Sequence, residues 1–275
     1  MSTNTSQSVA VHVSGDDHSD APSIVFLHGM GASSWMWKAQ IESLSKDFHC
    51  IVVDLPGHGE SADMRCHTFK EMGPLIAEVI RGKAHEGKAH MVGLSLGGFV
   101  TLHMLADFPE LIHSAVVSGV VTKPMANRWL LPPMAKLITL MMYQDWMLNR
   151  MIGLLGLPAE DVQWGAPLMR KDIQRLAPAT AERNYQELMS FDLDNLFHGR
   201  DIEARLLAVA GEKEAAPIVN GLTGFRNLQP VSNRSVFKAP NAHHGWNIEF
   251  PQLFNDMLRA WVENKPVPRE LIAVG

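Results

Sequence analysis

The sequence predicts an α/β fold in which helices flank a mostly parallel central sheet. Short runs of β-branched and apolar residues recur along the chain, with helical patterns between several of them. Such alternation is typical of parallel strands that are connected by helices. The runs are apolar throughout and do not alternate with polar residues, which indicates strands that are buried on both faces.

Seven strands and four helices follow from these patterns. The predicted strands are Val9–Val13, Ile24–Leu27, Cys50–Asp54, His90–Gly93, Ser114–Ser118, Leu206–Ala210 and Ser235–Lys238. The predicted helices are Trp35–Ser45, Phe69–Ile80, Phe99–Ala106 and the final segment QLFNDMLRAWV. Gly221–Gln229 has the composition of a loop with a short helix, and the tail after Lys265, with two prolines, is expected to be irregular.

The alternation stops between about Thr122 and Asp201, where the chain is helix-like and rich in Met, Leu and Trp. We therefore expect a core of residues 1–121 and 202–275, with a helical cap inserted between two late strands at 122–201. The apolar side chains of the cap can pack on one another and on the core, or line an apolar substrate pocket, a role that suits flexible methionines. Different faces of the same helices can do both.

Composition excludes several classes of function. The net charge is −5 and no Lys/Arg cluster is present, which argues against nucleic-acid binding. The two cysteines, Cys50 and Cys66, are too few for a disulfide framework and favour a reducing compartment. The N-terminus lacks the pattern of a secretory signal, and no apolar stretch is long enough to span a membrane. A cytoplasmic protein without stable membrane insertion is expected.

The stretch VGLSLGG places Ser95 in a G-x-S-x-G motif formed with Gly93 and Gly97. The apolar run AHMV precedes it and the helical pattern GGFVTLHMLADF follows, as a strand–turn–helix requires. Small neighbours permit a tight, strained turn. The turn raises the Ser95 hydroxyl at the start of a helix, where backbone N–H groups favour a developing negative charge.

Two more motifs resemble those of the α/β-hydrolase family, and all three occur in the family's order and spacing. His28-Gly29-Met30-Gly31 resembles the family's H-G-x-G loop, which implies that the N–H groups of Met30 and Leu96 form an oxyanion hole. The segment from Asp54 to Ser61 resembles the D-x-x-G-x-G-x-S segment, whose role there is structural. Neither Asp54 nor His58 is therefore assigned to catalysis. The resemblance covers the core at both ends of the chain and ends at the insertion.

The family's chain order of serine, acid and histidine places the base after the last strand. His243 and His244 both stand there, and counting back from Glu249 and Pro251 favours His244. The acid is expected in Gly211-Glu212-Lys213-Glu214, where the family commonly has Asp in the place of Glu214. Glu214 is the leading candidate, while Glu212 or an acid on another loop stays open.

The resemblance implies a hydrolase that acts on an ester-like bond through an acyl-enzyme. Together with the apolar insertion, it makes a carboxylesterase on small to medium apolar esters the leading hypothesis. The remaining histidines lack metal-ligand spacing, so no metal or cofactor is expected. The same parts serve thioester, lactone and carbon–carbon bond hydrolysis and cofactor-free perhydrolysis, and the pocket under the cap decides among these. A ligand receptor with slow turnover is a further alternative. Exposed apolar surface on the cap would also suit a second copy of the chain, so a homodimer stays open.

Overall fold

The computed structural model describes residues 8–15, 20–65, 68–156 and 165–275. Cys66 and the middle of the predicted cap lie outside these ranges. The described strands are β1 (Ala10–Ser14), β2 (Ser23–Leu27), β3 (His49–Asp54), β4 (Ala89–Leu94), β5 (Ile112–Ser118), β6 (Arg205–Gly211), β7 (Arg234–Ala239) and β8 (Ile272–Ala273).

The described α-helices fall into three groups along the chain. Those before the insertion are α1 (Lys38–Leu44), α2 (Phe69–Lys83) and α3 (Leu96–Asp107). Those between β5 and β6 are α4 (Leu131–Met142), α5 (Asp145–Leu154), α6 (Gly165–Arg175), α7 (Pro178–Ser190) and α8 (Leu193–Leu196). Those that follow are α9 (Ala216–Arg226), α10 (Trp246–Glu249) and α11 (Pro251–Val262).

One mixed sheet contains the described strands in the order β1-β3-β2-β4-β5-β6-β7-β8. Strands β2 to β7 pair in parallel, whereas β1 on β3 and β8 on β7 are antiparallel. The prediction of a mostly parallel sheet with a late helical insertion is therefore confirmed. Because the parallel strands share one direction, their carboxyl ends meet at one edge of the sheet, where ligands bind in open α/β folds.

Both faces of the sheet are covered by helices. Val25 and Leu27 of β2 pack into the apolar cluster on the side of α2 and α3, whereas Ile24 and Phe26 pack into the cluster on the side of α1 and α11. Alternate side chains of a strand point to opposite faces. This double burial explains why the strands have uninterrupted apolar sequences.

The C-terminal third of the core differs in two places from the prediction. Helix α9 spans Ala216–Arg226, so it is longer than the short helix expected near Gly221. Glycine lets α9 pack closely on the segment after β5, since a methyl group on Gly221 would lie 2.9 Å from Thr122 Oγ1. The tail expected to be irregular contains β8, whose two exposed residues carry too little pattern to predict.

The helices between β5 and β6 have an apolar centre of their own. Met142, Leu148 and Ile152 pack there with Met169 and Ile173. Large apolar side chains of the same segment are exposed, as with Trp129 at 76%. No helix in the described part of the chain is long and apolar enough to cross a membrane.

Candidate active site

Ser95 stands between the end of β4 and the start of α3, in a strained conformation with φ 53° and ψ −115°. Its N–H donates to Ser118 O at 2.8 Å. The residues on either side of Ser95 are buried, while Ser95 itself is partly exposed. A non-glycine residue with positive φ persists only where the surrounding structure holds it, and such strain concentrates at functional sites.

The glycines of the motif are required by close packing on both sides of this turn. A methyl group on Gly93 would lie 2.2 Å from Gly97 O, and one on Gly97 would lie 2.0 Å from Leu27 O. Neither backbone oxygen can move without breaking the contact between β2, β4 and α3. The sequence motif is thus explained by the approach of three backbone segments.

The loop after β2 packs beside the serine turn. Gly97 N–H donates to His28 O at 3.0 Å, and a methyl group on Gly29 would lie 3.5 Å from Ser95 Cβ. His28 Nε2 accepts from Leu55 N–H at 2.9 Å, so His28 Nδ1 carries the proton and donates to Gly29 O at 2.8 Å. Burial lowers the pKa of His28, which keeps it neutral in this bridging role.

His244 and Glu214 form a hydrogen-bonded pair. Their Nδ1 and Oε2 atoms lie 2.5 Å apart, and the Glu214 side chain is fully buried. Glu214 Oε1 accepts from Gly211 N–H at 2.7 Å, which fixes the carboxylate at the end of β6. Burial lowers the pKa of His244, but the charge and hydrogen bond of Glu214 raise it by more, so its pKa lies above the ordinary value.

The other candidates for base and acid have different partners. His243 N–H and Nδ1 both contact Glu249, at 2.8 Å and 2.9 Å. Glu212 Oε2 accepts from Asn241 N–H at 3.0 Å. The structure thus pairs His244 with Glu214 and His243 with Glu249.

The end of β5 connects the serine turn with this pair. Ser118 O holds the N–H of Ser95, and a methyl group on the adjacent Gly119 would lie 2.5 Å from His244 Cε1. Gly119 has φ 67°, so both its conformation and its contact with the imidazole demand glycine. The described residues contain no direct hydrogen bond between Ser95 and His244, but catalytic bonds often tighten only when substrate binds.

Asp54 and His58 make contacts that suit the structural role expected of them. Asp54 accepts from Ser34 N–H at 2.7 Å and from Glu60 N–H at 2.8 Å, and so joins two loops. His58 Nδ1 lies 3.1 Å from Pro56 O. Burial and the nearby His28 lower the pKa of His58 to about 3.

The helical insertion contacts both sides of the site. Met30 packs against its apolar cluster, and Leu155 O accepts from Gly245 N–H, beside His244, at 3.1 Å. On α6, Asp172 accepts hydrogen bonds from Ser33 and Trp35, two residues of the loop after β2. No motif marks Asp172, because its partners lie more than a hundred residues earlier in the chain.

An apolar cleft of about 590 Å³ lies between α9, the end of α7 and the segment after β5. Val121, Thr122 and Met125 contribute to its wall, but Ser95 and His244 do not.

Among the described residues, no group of three or more His, Cys, Asp or Glu side chains is arranged to hold a metal ion.

Comparison with known proteins identifies the family of this chain. The sequence model described as the Alpha/beta hydrolase family matches residues 24–257. The chain belongs to the alpha/beta hydrolase family. The resemblance seen in its motifs is therefore confirmed across most of the chain.

Several relatives of this alpha/beta hydrolase are esterases. The pimeloyl-[acyl-carrier protein] methyl ester esterase of Vibrio vulnificus strain YJ016 is 30% identical over 85% of this chain and 91% of its own. A thermophilic esterase from Thermogutta terrifontis has a TM-score of 0.75 at 20% identity, with 93% of each chain covered. The enol-lactonase from Burkholderia xenovorans LB400 has a TM-score of 0.72 at 18% identity, covering 93% of this chain and 96% of its own. At these identities the two structures support the fold alone.

Proposed function

We propose that this protein is a serine hydrolase that cleaves carboxylic esters of small to medium apolar substrates through an acyl-enzyme. The observation that carries the proposal is the pair of His244 and buried Glu214 beside the strained turn of Ser95. A serine hydroxyl is a weak nucleophile until a base takes its proton, and a base serves best when a third group orients it.

The proposed reaction assigns one role to each group. His244 Nε2 takes the proton of Ser95 as Oγ attacks the ester carbonyl, while Glu214 holds the proton on Nδ1 and stabilises the imidazolium. The N–H groups of Met30 and Leu96 stabilise the oxyanion. His244 then protonates the departing alcohol, and a water molecule, activated in the same way, releases the acid and restores Ser95. Gly29, Gly93 and Gly97 allow the loop after β2 to approach the serine turn. The hydrogen bonds of His28 hold that loop in place.

We further propose that residues 122–201 form a cap over a core of residues 1–121 and 202–275. Contacts of the insertion with Met30 on one side and Gly245 on the other support this arrangement. The apolar cluster that reaches Met30 favours an apolar acyl or alcohol group in the substrate.

A fluorophosphonate probe tests the nucleophile directly. Wild type should be labelled at Ser95 and turn over p-nitrophenyl esters many times, with a preferred acyl length that reports the depth of the pocket. Ser95→Ala should lose both activities, whereas Ser232→Ala, which changes an exposed serine, should keep both. Labelling without turnover would favour a receptor or a carbon–carbon or other specialised hydrolase, and labelling that persists in Ser95→Ala would refute the assignment.

A further inference from the structure

Asp172 is a buried carboxylate on α6 that reaches the loop following β2. Its Oδ2 accepts from Ser33 Oγ at 2.7 Å and from Trp35 Nε1 at 2.8 Å, and the residue is only 9% exposed. In the part of the chain that the structure describes, no arginine or lysine forms an ion pair with it. A carboxylate buried without a cation is costly and depends on its hydrogen bonds.

The same loop is held from both sides. On the core side, Asp54 Oδ1 accepts from Ser34 N–H at 2.7 Å. On the insertion side, Asp172 holds the two residues that flank Ser34. Gly31 lies against the next residue of α6, since a methyl group there would be 2.8 Å from Ile173 Cγ1. The loop after β2, which contains Met30, is therefore held between the end of β3 and α6.

We propose that Asp172 is a positioning residue that couples the seating of α6 to the placement of the Met30 amide. This inference rests on the proposed function, in which that amide stabilises the oxyanion. If α6 separates from Ser33 and Trp35, the loop loses its support on the insertion side and the amide drifts from the position that the oxyanion needs. An interaction realised only in the transition state affects kcat rather than KM.

The first test compares Asp172→Ala with Lys171→Ala, which changes an exposed neighbour on the same helix. Asp172→Ala should lower kcat for a p-nitrophenyl ester by about tenfold with KM changed less than about twofold, and Lys171→Ala should change neither. Asp172→Asn keeps one carbonyl oxygen as an acceptor and should recover part of the loss. Ser33→Ala should weaken kcat less than Asp172→Ala, and the double variant should be no worse than Asp172→Ala alone.

A second measurement separates this inference from the proposed function, because it needs no activity. Amide hydrogen exchange should accelerate in Asp172→Ala both in residues 29–35 and in α6, and stay at the wild-type rate in Lys171→Ala. Unchanged exchange in residues 29–35 would overturn the coupling whatever the activity of wild type. A wild-type kcat in a folded Asp172→Ala would overturn the positioning role. A wild type that no probe labels at Ser95 would instead refute the proposed function, while faster exchange would still establish the link.

Discussion

Glu214 and His244 form a contact whose electrostatics suit a general base. Burial alone would lower the pKa of the imidazole and weaken it as a base, but the adjacent carboxylate reverses this effect. The fully buried Glu214 side chain accepts hydrogen bonds from Gly211 N–H and from His244 Nδ1. A glutamate in place of the more common aspartate therefore reaches the imidazole directly.

The pH dependence of ester hydrolysis should report this contact. A protonated His244 cannot accept the proton of Ser95, so kcat/KM should rise with pH through a midpoint above the ordinary histidine pKa of 6.5. Glu214→Gln removes the charge that raises the pKa. Its midpoint should move to lower pH, and its plateau should fall by about two to four orders of magnitude.

Glu249→Gln is the matched control for this profile, since Glu249 pairs with His243. Its midpoint should equal that of wild type. An unchanged midpoint in Glu214→Gln, or a shift in Glu249→Gln of the same size, would mean that Glu214 does not set the pKa of the catalytic base.

The adjacent histidines should also differ on substitution. His244→Gln removes the proposed base and should reduce kcat by about 10²-fold or more, whereas His243→Gln should keep kcat within a few-fold because only the contact with Glu249 is lost. Steady-state kinetics of the two variants, with thermal melting to verify folding, make the comparison. Equal losses in both would leave the base unassigned.

At the scale of an element, the turn between β4 and α3 depends on a backbone approach that admits no side chain. Gly97→Ala would place a methyl group 2.0 Å from Leu27 O, so it should destabilise the fold by more than about 2 kcal/mol or prevent folding. Gly153→Ala is the counterpart at an exposed position of α5, where nothing lies within 4 Å of the added methyl group. It should stabilise the protein by up to about 1 kcal/mol, as alanine is the better helix former.

Urea unfolding of the two glycine variants provides the measurement. A Gly97→Ala protein as stable as wild type would contradict the packing described for this turn. A Gly153→Ala protein that is strongly destabilised would show instead that the effect is not specific to the serine turn.

Elements that follow from local pattern were predictable, and contacts between distant segments were not. The seven predicted strands end within two residues of β1 to β7. For central strands such as β2 and β4 the reason is that a strand buried on both faces must be apolar almost throughout. The insertion was predictable because the alternation of strands and helices stops between about Thr122 and Asp201. By contrast, Asp172 meets Ser33 across 139 residues, and only the assembled fold brings them together. The choice between adjacent His243 and His244 likewise depends on which acid each one meets.

At the scale of the whole molecule, the proposed site lies at the edge of the sheet where the parallel strands have their carboxyl ends. Met30, Ser95, Gly119, Glu214 and His244 each follow a different one of the strands β2, β4, β5, β6 and β7. Parallel strands bring these connections together although the residues are far apart in sequence. In the proposed function, the core positions the reacting groups, and the insertion, which touches two of these connections, selects the substrate.

If the core positions the reacting groups and the insertion selects the substrate, the core should still fold when most of the insertion is removed. The chain enters and leaves the insertion side by side, because Met125 N–H donates to Met189 O at 2.8 Å and Leu193 N–H to Thr122 O at 3.0 Å. A Gly-Gly link can therefore replace residues 126–188. The insertion has its own apolar cluster, so the clusters on both faces of the sheet remain largely intact.

The shortened protein should unfold in one cooperative transition and still react with a small fluorophosphonate at Ser95, at a lower rate because Asp172 no longer supports the loop after β2. Its preference among p-nitrophenyl esters of increasing acyl length should flatten, since the apolar surface that contacts Met30 is gone. Calorimetry, labelling and the ester panel measure these three effects. A shortened chain that fails to fold would make the insertion part of the core, and an unchanged acyl preference would place the selecting surface in the core itself.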